Sequence, residues 1–116
     1  MSYEFSVGSR TVWSPSLQTG QIYVGYIRSL ENLLGVSAGF EPSASDMVRV
    51  NRDQFSTFVD ALLDWYRPSD PRNVQFRSQM FVVLGPAVVM LDRSGTIEID
   101  VPEELLTEAR NIPMPS

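Results

Sequence analysis

The 116-residue chain contains no cysteine, no histidine and no lysine. Without cysteine there are no disulfides, no thiol nucleophile and no zinc–thiolate site. Without histidine the commonest general base and the commonest transition-metal ligand are gone. Without lysine neither Schiff-base chemistry nor a phosphate-loop lysine is available. All nine basic residues are arginines. Long apolar runs are also missing. The longest, Met80 to Leu91, has about a dozen residues against the roughly 20 of a membrane helix. The first ten residues, MSYEFSVGSR, carry neither a basic leader nor an apolar core, so no secretory signal is read there. A cytoplasmic protein with no membrane partner is expected.

What remains is an ordinary globular composition, 43% hydrophobic with a formal net charge of −5. The length suits one domain with one core, residues 1–116, with 112–116 read as a frayed tail around Pro113 and Pro115. An acidic balance disfavours nucleic acid, which calls for clustered basic residues. It suits a basic protein partner, and it also serves solubility.

The stretch Asn51–Tyr66 organises the chain. Phe55, Phe58, Val59, Leu62 and Tyr66 recur at helical spacing, with Leu63 and Trp65 on the borders of that face. Asn51 is a good N-cap, Gln54 completes a capping-box-like start, and Pro68 closes the run. Before it, Tyr3–Val7 and Arg10–Trp13 flank Gly8-Ser9 as a hairpin. Ser14-Pro15 predicts the start of a helix over Pro15–Leu34, with Tyr23, Tyr26, Ile27, Leu30, Leu33 and Leu34 inward. Gly20 and Gly25 weaken that helix and mark close helix packing, and Gly35 stops it. Residues 36–45 read as a loop in which Phe40 covers the core edge, followed by a strand over Asp46–Val50.

Beyond Pro68, Asp70-Pro71 repeats the cap-plus-proline start. Val74, Arg77, Met80, Phe81, Leu84, Ala87, Val88 and Leu91 keep helical spacing through Gly85-Pro86, which requires a kink. The rival reading makes Ala87–Leu91 and Thr96–Val101 a hairpin. Pro102 opens a short last helix through Asn111.

Catalysis in this chain would rest on carboxylates, hydroxyls and arginine. Asp60 and Asp64 lie one turn apart on the outer face of the central helix. Such a pair can hold a hard cation or do acid–base work, and equally serves as a solvated face. Glu98, Asp100, Glu103, Glu104 and Glu108 make the C-terminal segment acidic, a surface for a basic partner; the helix dipole alone also favours Glu103 and Glu104. Arg67, Arg72 and Arg77 are spaced to bind an anion or to solvate the surface. No nucleophile elbow, dinucleotide fingerprint or calcium loop occurs, so no catalytic residue, metal ligand or cofactor is assigned. Trp13 and Trp65 suit core anchors, and Trp65, on a helix border, suits an interface hot spot.

The run Gly8–Ser16 with Val12-Trp13 and Pro15-Ser16, the acidic Asp46 before a strand, and Phe55–Tyr66 with its Val-Asp-Ala-Leu core resemble a family of small, uncharacterised actinobacterial proteins over roughly the first 90 residues. The resemblance implies no activity or site. The expected fold is α+β: three main helices and a short C-terminal helix on a small antiparallel sheet with an N-terminal hairpin. The expected function is a non-enzymatic protein-binding module of the immunity, adaptor or inhibitor type. Its partner-binding residues would be Trp65, Asp60, Asp64, Glu103, Glu104 and Glu108. The alternatives are a self-assembling structural protein, a homo-oligomer through Trp65 and residues 80–91, and a carboxylate-based binder or enzyme.

Overall fold

Hydrophobic spacing and capping residues explain most of the elements found. The computed structural model describes residues 2–111; the expected frayed tail, residues 112–116, lies outside them. In chain order the elements are β1 (Glu4–Val7), β2 (Arg10–Trp13), α1 (Leu17–Leu34), β3 (Phe40–Ala44), β4 (Met47–Val50), α2 (Arg52–Tyr66), α3 (Val74–Ser94) and α4 (Glu103–Arg110). The class is α+β, with three main helices and a short fourth.

The sheet order is β2-β1-β4-β3. It is mixed rather than antiparallel, because β1 and β4 run parallel, with Phe5 beside Val48. Parallel neighbours need a crossover connection; β2, α1 and β3 supply it here. The β1–β2 hairpin turns at Gly8, whose φ of 59° is one that glycine adopts without strain. β3 occupies half of the expected loop. It pairs with β4 at the sheet edge and is mostly exposed, so no alternation of apolar residues announces it. Pro42 within it suits an edge position, where a missing N–H costs least.

α2 starts as expected. The Asn51 side chain accepts from the Gln54 N–H at 3.1 Å. The backbone N–H of Asn51 donates to Gly39 O at 2.9 Å, so Gln54 is not needed to complete a capping box. Two other starts are shifted. α1 begins at Leu17 because Ser16, not Ser14, accepts from the Thr19 N–H. α3 begins at Val74 because Asn73 accepts from the Phe76 N–H. Asp70 instead closes a local turn by accepting from the Arg72 N–H at 2.9 Å.

α3 is one helix of 21 residues that continues through Pro86, so the hairpin reading of residues 87–101 is set aside. Pro86 has no N–H to give the Val82 carbonyl; burial of Met80, Val83, Leu84, Ala87, Val88, Met90 and Leu91 holds the helix together across that gap. By length and composition α3 could cross a membrane; here it packs against α1, α2, α4 and β2.

The core lies between the sheet and α1–α3. Phe5, at its centre, stacks on Trp13 at 5.0 Å and meets the Tyr23 ring edge at 5.8 Å. The aromatic chain continues through Phe40 to Phe55 (5.2 Å) and Phe58 (6.4 Å), so Phe40 covers the core edge as expected. The Tyr23 hydroxyl donates to Val83 O at 2.8 Å, tying α1 to α3, and burial pushes its phenol far above the ordinary tyrosine range. A Cβ on Gly20 would collide with the Tyr3 side chain, so this glycine marks close packing against the N-terminal segment rather than the expected packing against a helix, whereas Gly25 faces open space.

Candidate functional site

Three side-chain groups stand out: two ion-pair clusters that knit the helices together, and one apolar face.

The first cluster gathers Asp60 and Asp64 on α2. Both carboxylates are taken by Arg67, which donates at 2.8 Å to each through its two terminal nitrogens. The same guanidinium donates to Asp100 O at 2.8 and 3.2 Å. The hydrogen bond that Arg67 donates to Asp60 is the main reason the Arg67 pKa is raised. Arg67 thereby pins the end of α2 to the segment that leads into α4. Among the described residues no group of three or more carboxylates, histidines or cysteines converges on one point. The aspartate pair acts here as an arginine clamp.

The second cluster joins α2, α3 and α4. The Tyr66 hydroxyl donates to Glu104 Oε1 at 3.0 Å, and Arg77 donates to the same oxygen at 3.0 Å. The guanidinium lies 4.7 Å from the Tyr66 ring centre, a cation–π contact, and also donates to Ser69 O at 3.0 Å. Burial, and then the hydrogen bond to Glu104, raises the Tyr66 pKa. Arg77 Nε is buried and has no hydrogen-bond partner among the described residues. A shallow cavity of about 320 Å³ opens beside this cluster, floored by Val74, Phe81 and Leu105 and edged by Glu108. Glu104 is thus a structural carboxylate, whereas Glu103 and Glu108 stand exposed on α4 with no ion pair among the described residues.

Charge was the sequence signal for these residues, but it does not reveal pairing. Arg67, Arg72 and Arg77, read as anion-binding or solvated, each hold a carboxylate: Arg67 those of Asp60 and Asp64, Arg72 that of Asp70, and Arg77 that of Glu104. The pairing with Arg72 lowers the Asp70 pKa.

The third group is apolar. Trp65 is not a core anchor: it is 41% exposed, while Trp13 is 5% exposed and buried. Trp65 borders a groove of about 410 Å³ between α1, α2 and α3, with Tyr26, Leu30, Phe76, Met80 and Val82 among its walls. A second, smaller hollow shares Tyr26 and Val82 and continues the surface past Ile22 to Pro86. Tyr26 and Leu33, expected inward, are 48% and 70% exposed. Ile22 and Val82 are 57% and 52% exposed. Among the described residues no charged side chain lines either hollow. Of this surface the sequence analysis singled out only Trp65 and the neighbourhood of residues 80–91.

Comparison with curated proteins and with solved structures finds no match for this chain. A protein-family model does match, over residues 1–114, so the match extends past Arg93 and covers α4 as well as the region that carried the resemblance. On this match the chain belongs to the family of unknown function DUF6086.

Proposed function

We propose that this protein is a non-enzymatic protein-binding module of the immunity, adaptor or inhibitor type, acting in the cytoplasm of an actinobacterium, a source that the resemblance carried by Gly8–Ser16 and Phe55–Tyr66 implies. The observation that carries the reading is the exposed, uncharged apolar face around Tyr26, Trp65 and Val82. Exposed Trp and Tyr on a groove edge are the residue types that dominate binding energy at protein interfaces. The enzyme alternative loses support because Arg67 occupies both aspartates of its proposed site.

A second contact is supported by α4, where Glu103 and Glu108 present unpaired carboxylates suited to a basic partner. Glu104 contributes less, since Arg77 and Tyr66 hold it. The two surfaces separate in one experiment. Immobilised wild-type protein is compared with Trp65→Arg and with the double variant Glu103→Arg/Glu108→Arg for specific capture of proteins from the native host. Capture lost in Trp65→Arg and kept in the double variant is the expected result. The reverse pattern moves the binding site to α4, and no specific capture by the wild type removes the reading.

A further inference from the structure

α1 carries two apolar stripes one residue apart. Tyr23, Ile27, Leu30 and Leu34 face the core. Thr19, Ile22, Tyr26, Ser29 and Leu33 are all exposed. The outer set recurs at alternating steps of three and four residues, the spacing with which one helix meets another along a seam. The only charges on α1, Arg28 and Glu31, fall off it. Gly25 borders the seam, and a Cβ there would touch nothing within the protein. A glycine inside a helix weakens it relative to alanine. No internal contact accounts for this one, and its bare backbone leaves room for a second helix to approach.

We propose that this face, the outer stripe of α1 with the adjoining groove wall of Trp65 and Val82, is the contact between two copies of the chain related by a two-fold axis. The proposal rests on the protein-binding reading above and names its partner. Two observations favour a second copy. The first is charge. The chain carries a net −5, so two copies repel through most of their surfaces. The groove and its continuation past Ile22 are lined without a charge, so apposing them confronts no carboxylate with another.

The second is area. Taking aromatic side chains at 150–250 Å² and the aliphatic ones somewhat smaller, the exposed parts of Ile22, Tyr26, Leu33, Trp65 and Val82 amount to roughly 400–500 Å² of apolar surface. A standard interface buries roughly 800 Å² per partner, and homodimer interfaces are about two-thirds apolar. Two-thirds of that is roughly 530 Å², so the patch supplies most of the apolar area that such an interface requires. Tyr26 lines both the groove of about 410 Å³ and the hollow that continues it past Ile22, so one two-fold contact can use both.

Light scattering on a size-exclusion column tests this with the full chain at about 100 μM, a concentration at which micromolar association is nearly complete. The wild type is expected at about twice its 13.0 kDa chain mass. Tyr26→Arg and Ile22→Arg, both at exposed positions, are expected at the single-chain mass with unchanged far-UV circular dichroism. Glu103→Arg/Glu108→Arg is expected to remain dimeric. A wild type that stays at 13.0 kDa overturns the proposal, as does a dimer that survives both arginine substitutions. A monomeric wild type whose specific partner capture still vanishes in Tyr26→Arg would overturn the second copy and leave the protein-binding reading standing. A monomer whose capture ignores Tyr26 and Trp65 would overturn the second copy and move the binding site off this face, and a monomer with no specific capture would remove both.

Discussion

At the scale of single residues, the two glycines of α1 separate packing from propensity. Gly20 lies under the Tyr3 side chain, and a Cβ there would overlap it. Gly20→Ala is expected to destabilise the fold by about 1–3 kcal/mol, the range for overpacking a filled site. Gly25 meets nothing, and Gly25→Ala is expected to stabilise the dilute protein by about 0.5–1 kcal/mol, the helix-propensity difference. Urea denaturation midpoints of the two variants check both signs; movement in the same direction would contradict this packing. Sequence analysis read both glycines alike, since spacing alone does not show what stands above a missing Cβ. Trp13 and Trp65 make the same point. Trp13 shares β2 with the core-facing Val12 and is buried, while Trp65, on the border of an otherwise legible helix face, is exposed.

At the scale of elements, α2 and the kinship of α3 with it were legible, because Asn51, Pro68 and the aromatic spacing act within one helical stretch. The misplaced features depend on partners distant in sequence. β3 is held by pairing with β4 and not by burial, so its composition resembles a loop. The two stripes of α1 differ by one residue, and periodicity cannot say which of them meets the sheet. The C-terminus of α3 is another such case. Arg52, the first residue of α2, donates to Leu91 O at 3.1 Å, to Ser94 Oγ at 3.0 Å and to Thr96 O at 2.6 Å, closing the last turn of α3 from outside. Three bonds from one partly buried guanidinium to the end of α3 and the residues after it make Arg52→Ala cost about 1.5–3 kcal/mol. Hydrogen exchange is expected to show the loss first in the amides of residues 90–97. A uniform change across the protein, or none, would contradict this local role.

At the scale of the whole molecule, part of the charge is spent internally: three arginines hold four carboxylates among the described residues. Arg67 and Arg77 each bridge an acidic group to a neighbouring element, so Asp60 and Asp64, read as candidates for chemistry, and Glu104, read as a partner-binding residue, help hold α2, α3 and α4 together. The surface that best suits the proposed encounter is the uncharged face of Ile22, Tyr26, Trp65 and Val82, with the exposed Glu103 and Glu108 of α4 as the second candidate. The two tryptophans make that face directly observable, since one reports the core and the other the surface. In protein labelled with 5-fluorotryptophan, the fluorine resonance of Trp65 is expected to move as the concentration rises from about 10 μM to about 1 mM, while that of Trp13 stays in place. Two resonances that both hold their positions over that range, with Trp65 as open to solvent at the end as at the start, would contradict the assignment of this face as an interface between copies.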